Sequence, residues 1–366
     1  MKIIDKYIIS EWLKVFIGAI VLTLGILSLH NAYRDLPDLI SFGASVWQII
    51  YYHLLLLPAY MPVIMPISLL LSVIFTLGNL HRNSEIIAMR AAGMSIFRIS
   101  RSLWFAGILL SALLFYLNAE VVPRATEQAR ADYEALEQKG EPDKAKLNRI
   151  NTLRHLTLNN NIDSRLWFID TYDQTTGQIL GIEIHTLNED GKQILSVKAN
   201  KGVYENGSWI LQNGVEIPYN PETNKPSRPI KFQSKTYEEY TESPALMILS
   251  RKRPKDLSVL ELKSLTSTLG EKREMLAYAV QLQSMLASPL ICLIVVAIAI
   301  PFSVAGVRTN PMVGVSKTIG LFFAYYILVN IFSALGGKEI LSPAVAAWTP
   351  NILMLLFALS LYRKNI

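Results

Sequence analysis

The chain has 366 residues, of which 51% are hydrophobic and only 17% charged, with a mean hydropathy of +0.30. A soluble domain carries about 25% charged residues, so a cytosolic enzyme is excluded, and the formal charge of +6 is no sign of nucleic-acid binding. Residues 124–274 hold 22 of the 35 Lys and Arg and 22 of the 29 Asp and Glu, which makes this stretch polar and neutral and leaves the whole net charge to the apolar flanks.

A helix needs about 20 mostly apolar residues to cross a hydrocarbon core of roughly 30 Å. Six segments qualify: 12–33, a span within 46–80, 103–122, 277–304, 319–335 and 343–361. The first has a basic start and an apolar run, as a signal peptide does. However, His30-Asn31-Ala32 is a poor cleavage site, so it is read as a retained anchor. Gly18 and Gly25 lie seven apart on one face of this helix; Gly314 and Gly320 stand near the start of the fifth span. Such residues let helices approach closely, within one subunit or between two. In the second span, Pro58, Pro62 and Pro66 share a helix face, and prolines so placed more often kink a helix than unwind it around a substrate.

Basic residues predict the orientation. With the N-terminus inside, the inner side holds Lys2, Lys6, Lys14, Arg82, Arg90, Arg98, Arg101, Arg308, Lys317, Arg363 and Lys364, against Arg34 and Lys338 in the outer short loops. Both termini are then cytoplasmic and the polar insert lies outside.

The loop between spans two and three, Leu77 to Ser95, predicts a short helix along the inner face, over about 84–93. Ser84 is placed to cap it, Glu85 sits against the positive end of its dipole, and Gly93 supplies a left-handed stop. Ile86, Met89 and Ala92 offer a small apolar stripe, and Arg82, Glu85 and Arg90 offer charges. An interfacial helix resting on headgroups and a knob that docks into a soluble partner fit this pattern equally well.

From Asn151 the periodicity becomes two. Leu180, Ile182 and Ile184 alternate with polar or small residues, as do Leu195, Val197 and Ala199. Strands are expected at 165–170, 179–187, 194–199, 208–212 and 230–237, with turns at Thr176-Gly177, Asp190-Gly191, Asn206-Gly207 and Asn213-Gly214. Helical flanks are expected at 124–139 and 256–276. The insert is thus an antiparallel sandwich or an open roll, serving as a spacer or as a groove for an apolar ligand or a similar domain.

No catalytic constellation stands out. His30, His53, His81, His155 and His185 are scattered singly, and Cys292, the sole cysteine, reads as a packing residue. Gly191-Lys192 and Gly337-Lys338 do not continue to Ser or Thr, so a Walker A loop is absent. No cofactor or metal is expected. Energy must come from a gradient or from another subunit, which leaves three readings open: a gradient-driven carrier, a subunit of an ATP-driven transporter, and a membrane-anchored scaffold.

The segment Leu77–Ser95, with Ser84-Glu85 and Met89-Arg90-Ala91-Ala92-Gly93-Met94-Ser95, resembles the signature of the lipopolysaccharide-export permeases LptF and LptG (the YjgP/YjgQ family). The similarity continues through Ile4-Asp5-Lys6-Tyr7-Ile8, Trp209-Ile210-Leu211, Pro301-Phe302-Ser303 and Ala346-Ala347-Trp348-Thr349-Pro350-Asn351. The first and last of these stretches are closer to the LptG side. The resemblance implies six transmembrane helices (residues 1–123 and 275–366) and a periplasmic β-jellyroll-like domain (124–274), in a multi-pass protein of the inner membrane. It also implies a pair of paralogous permeases driven by an LptB-like ATPase dimer, taking lipopolysaccharide from the membrane and passing it to an LptC-like jellyroll protein. ATP is then hydrolysed on a separate subunit. By motif position the helix that couples to the ATPase presents Glu85, with Arg82, Ile86, Met89 and Arg90 beside it. LptG-type members carry several lysines for the lipid phosphates at the outer end of span one. Here only Arg34 stands there, with Asp35 and Asp38 opposing it. The family's intersubunit seams at spans one and five favour that role for Gly18, Gly25, Gly314 and Gly320.

Overall fold

The computed structural model describes residues 3–140, 152–173, 176–188, 190–220, 223, 225–269, 275–304 and 311–365. The chain folds as two units, 1–137 with 280–366, and 138–279.

The first unit is helical. It comprises α1 (Ile3–Ser41), α2 (Val46–Arg82), the short α3 (Glu85–Ala91) and α4 (Ile96–Tyr116), which runs through a π-helical turn (Leu117–Val121) into α5 (Val122–Gly140). After the β domain come α8 (Leu276–Ala287), α9 (Leu290–Val304), α10 (Pro311–Gly337) and α11 (Pro343–Asn365). Among the described residues, five helices are long and apolar enough to cross a membrane, or six if α8 and α9 form one span bent by 51°. The chain is therefore a helical membrane protein with a separate β domain.

A reciprocal capping box starts α2. Ser45 accepts from the Gln48 amide at 3.4 Å and the Gln48 side chain accepts from the Ser45 amide at 2.9 Å. Pro58, Pro62 and Pro66 all lie inside one continuous helix, so they do not unwind it. In α1 the buried residues Asp5, Ile8, Trp12 and Phe16 fall at helical spacing on one face. They join a core built from the second half of α2, Ile86 of α3, α4 and α9. Nearly every residue of α9 from Ile291 to Ile300 is buried, as a helix that is apolar all round requires. Cys292 is buried and unpaired within it.

The fourth span expected from the sequence, 277–304, is interrupted between α8 and α9 at Ser288-Pro289. Proline has no N–H to give the ladder, and a break among apolar helices must be satisfied by protein groups. Three other segments supply them. Asn351 of α11 donates to the Ala287 carbonyl at 3.1 Å, and Ser111 of α4 donates to the Pro289 carbonyl at 2.7 Å. Asn118, in the π-helical turn, donates to the Ser288 hydroxyl at 3.2 Å. Asn351 is itself held by the Tyr325 hydroxyl of α10.

The second unit holds six strands, β1 (Thr152–Asn160), β2 (Arg165–Asp173), β3 (Gln178–Leu187), β4 (Gln193–Glu205), β5 (Ser208–Pro218) and β6 (Ile230–Tyr237), in one antiparallel sheet where each pairs with its sequence neighbours. Among the described residues the strands form one sheet, as the open form requires and a two-sheet sandwich does not. β1 was not expected. Asn206 (φ 49) and Gly207 (φ 84) make the two-residue hairpin between β4 and β5. Asn213-Gly214 makes no turn and lies within β5, where a Cβ at Gly214 would meet the Lys198 carbonyl at 2.7 Å. Gly181, at φ +67, shifts the phase of β3. Ile179, Ile182 and Ile184 are buried, while Leu180 is exposed.

Two short helices, α6 (Pro244–Leu249) and α7 (Val259–Leu269), follow the sheet. Trp167 and Trp209 meet at 5.0 Å between ring centroids, and Tyr237 stacks on Tyr240 at 4.8 Å. The Trp209 indole donates to the Glu242 carbonyl at 2.8 Å, and buried Arg165 bridges the Glu242 carboxylate at 2.8 Å. Burial pushes the Glu216 carboxyl up, but its bonds to the Lys235 ammonium and Tyr237 hydroxyl hold it below the ordinary value. An open cleft of about 410 Å³ beside β1 and β2 is lined by Leu158, Trp167, Phe168, Met275 and Tyr278.

Asn351→Leu strips the Ala287 carbonyl and the Tyr325 hydroxyl of their partner. It is expected to lower stability by about 1–3 kcal/mol, read as a lower midpoint of thermal unfolding in detergent.

Candidate functional site

The elbow between α2 and α4 gathers polar contacts between segments distant in sequence. The α2 helix ends at Arg82, and only Asn83 and Ser84 separate it from α3. Reversing the chain in two residues forces Ser84 to φ 61, in the left-handed region, and its hydroxyl makes no cap bond. The expectation that Ser84 caps α3 is therefore wrong; its carbonyl opens the helix instead, accepting from Ala88 at 2.9 Å. The far end follows expectation. Gly93 takes φ +81, its amide donates to the Arg90 carbonyl at 2.9 Å, and Met94 donates to Met89 at 3.1 Å, a left-handed glycine stop. Ser95 then caps α4, accepting from the Arg98 amide at 3.2 Å.

Within this closed turn the side chains divide into two sets. Ile86 is buried and Met89 is half-buried against the helical core. Ile86 thus anchors α3 to its own chain, which corrects the expectation that it faces a partner. The exposed apolar neighbour is Ile87. Arg82 and Arg90 point to solvent, with Arg82 donating to Asn79 at 3.1 Å. Glu85 is partly exposed, and one of its carboxylate oxygens accepts from the Tyr7 hydroxyl at 2.9 Å.

Next to it, Asp5 is 2% exposed and gathers two arginines of α4. Arg98 approaches both its oxygens, at 2.6 and 3.3 Å, in a fork, and Arg101 reaches it at 3.2 Å. Two cations and the fork geometry offset the cost of burying the carboxylate. Sequence reasoning missed this cluster. It read Arg98 and Arg101 only as orientation charges, and nothing local ties Asp5 to residues 93 and 96 positions away.

The other expected positions lie apart from the elbow. Arg34 is engaged by its neighbour, Nε to Asp35 Oδ1 at 2.8 Å, with most of its side chain exposed. Asp35 also accepts from Tyr52, and Asp38 from Tyr133, both at 3.4 Å. A Cβ added at Gly18, Gly25 or Gly320 would meet nothing within 4 Å, so packing within the chain does not require these glycines. Gly314 lies in α10, in a stretch whose side-chain surroundings fall outside the described residues. Among the described glycines of the helical unit, those that make room for a neighbour are Gly107, against Val296, and Gly336, against Ala346 and Val280.

A family model of the lipopolysaccharide export system permeases LptF/LptG matches residues 6–364. The chain belongs to that family, whose description spans both LptF and LptG and whose members are permease subunits of lipopolysaccharide export, without a catalytic role of their own. No curated protein matched the chain.

Gly93→Ala meets no atom within 4 Å, so its cost is that of the left-handed backbone alone, about 1–2 kcal/mol. Hydrogen exchange is expected to speed up at the Ala92 to Met94 amides while the middle of α2 keeps its protection.

Proposed function

We propose, from membership of the LptF/LptG family as premise, that the chain is an LptG-type permease of the inner membrane, paired with an LptF-like paralogue and driven by an LptB-like ATPase dimer. Both termini are cytoplasmic. Residues 1–123 and 275–366 form the membrane part, and the β domain of 124–274 lies in the periplasm. There it passes lipopolysaccharide to an LptC-like jellyroll protein toward the outer membrane. Eleven basic residues on the inner side against two outside support this orientation.

The observation that carries the proposal is the elbow. Its α3 is stopped at its far end by Gly93, fixed from within by Ile86, and displays Glu85, Arg82 and Arg90 with Ile87 on its open side. A short rigid knob with a carboxylate at its leading turn suits a cationic groove on a nucleotide-binding subunit. The missing Walker A motif agrees with ATP being hydrolysed there. Gly18, Gly25, Gly314 and Gly320 serve the seams with the paralogue, and the three whose surroundings are described, Gly18, Gly25 and Gly320, leave the space beside them open. Arg34 is left as a secondary contact for a lipid phosphate, weakened by Asp35; the paralogue supplies most of the cations.

Two measurements test this reading. Purification of the chain should bring down a second six-span permease and an ATPase dimer. Glu85→Ala should weaken ATPase association by about thirtyfold, the factor that roughly 2 kcal/mol for one side of an interfacial charge pair represents, and should cut lipopolysaccharide export with the protein still folded and inserted. Export at the normal rate in that variant would end the docking role of Glu85.

A further inference from the structure

We infer that Tyr7 is a positioning residue for Glu85, and that the coupling element is α3 together with the base of α1 and the start of α4. The inference rests on the proposed docking of Glu85 and adds what holds that carboxylate in place.

The α3 helix alone gives Glu85 little definition. Ser84 provides no cap bond, and an exposed Glu side chain at the end of a seven-residue helix has several rotamers to lose on binding. The Tyr7 hydroxyl removes part of that freedom by donating to Oε2, which leaves Oε1 to accept from a cationic partner. Tyr7 is in turn fixed by its own helix. Asp5, two residues before it, is clamped by Arg98 and Arg101, and Ile8, directly after it, is fully buried. Three segments therefore converge on the elbow: α1 through Asp5 and Tyr7, α3 through Glu85, and α4 through Arg98 and Arg101. A displacement of Glu85 by a docked partner is passed to the base of α1 by the Tyr7 bond and to α4 by the covalent link through Ser95.

This connection bears on function because α1 leaves one face exposed beyond its base. Its buried residues stop at Phe16 and resume only at Leu39, and Val21, Leu22, Ile26 and Leu29 between them are exposed. The first turns are the place where force from the elbow enters this helix.

Tyr7→Phe deletes the hydroxyl and keeps the ring. The test uses the permease complex with its ATPase in proteoliposomes loaded with lipopolysaccharide, measuring lipid extracted per ATP hydrolysed. Tyr7→Phe should lower that ratio about three- to tenfold, less than a buried charge-assisted bond commands because water screens the pair, with the thermal unfolding midpoint unchanged. In a Glu85→Ala background it should cause no additional loss, since residues acting through one contact are non-additive. Three results would overturn the inference. Normal coupling in Tyr7→Phe removes the positioning role and leaves Glu85 docking intact. An equal loss with and without Glu85 makes Tyr7 merely structural. Normal coupling in Glu85→Ala alone brings down the docking reading and this inference with it.

Discussion

Apolar surroundings offer no water to a free amide or carbonyl, and in this chain the architecture of the helical unit follows from that constraint. A helix satisfies its backbone internally, so the long spans need nothing from their neighbours. Wherever the ladder stops, a partner has to be brought. The break at Ser288-Pro289 receives Asn351, Ser111 and Asn118 from α11, α4 and the π-helical turn. One interruption thus fixes the mutual placement of four helices, because each donor must arrive within hydrogen-bond distance of a particular atom. Van der Waals packing along the buried α9 holds the helices together but is satisfied by many arrangements. The polar groups choose one arrangement among those that apolar packing tolerates.

The same logic governs charge. Asp5 is almost fully buried, and an isolated carboxylate there would cost several kcal/mol. Arg98 and Arg101 make it tolerable, and the requirement runs both ways, since α4 must begin where its first two turns reach Asp5. The base of α1, the elbow and the start of α4 are consequently one body. Tyr7 and Glu85 sit at its edge, where a hydrogen bond is weak enough to change and defined enough to orient. In the β domain, Arg165, Glu242 and the Trp167–Trp209 pair do similar work by tying the return segment to the sheet.

Much of this was legible in the sequence because the governing lengths are physical constants. Bilayer thickness sets the span, so runs of about 20 apolar residues located the crossings without any knowledge of packing. Glycine's tolerance of positive φ located the Gly93 stop and the Asn206-Gly207 hairpin. The failures share a cause: the deciding contact lay far along the chain. Pro289 lies in an apolar run, and the residues that mend the break are 170 or more positions upstream or 64 downstream. Ser84 has the right chemistry for a cap, but a two-residue reversal dictated its backbone first. Asn213-Gly214 has the composition of a turn, yet β6 packs over it and the close approach of Phe232 and the β4 backbone is what needs the glycine. Ile86 and Ile87 are indistinguishable by type, and only the orientation of α3 on the core separates the anchor from the exposed residue.

An export permease has to hold its lipid-facing helices apart from the machinery that moves them, and α1 shows how a single helix reconciles the two. Near Phe16 and before it, the helix belongs to the core; at Leu39 it belongs to a second cluster with Tyr52, Ala129 and Leu136. Between these anchors its outer face exposes large apolar side chains, with Gly18 and Gly25 adding no bulk, while Ile20 packs against the core and Thr23 meets the Ser68 hydroxyl at 3.2 Å. A helix anchored at its two ends, with one face left exposed between them, can exchange neighbours along that face without dismantling the core. Cost decides where motion goes. Separating Ile8 or Trp12 from the core breaks close-packed contacts, whereas sliding an exposed face against lipid or a paralogue trades one apolar contact for another. Under the proposed docking, force entering at the elbow is resisted at the base of α1 and relieved along the exposed face of its middle, beside Gly18 and Gly25.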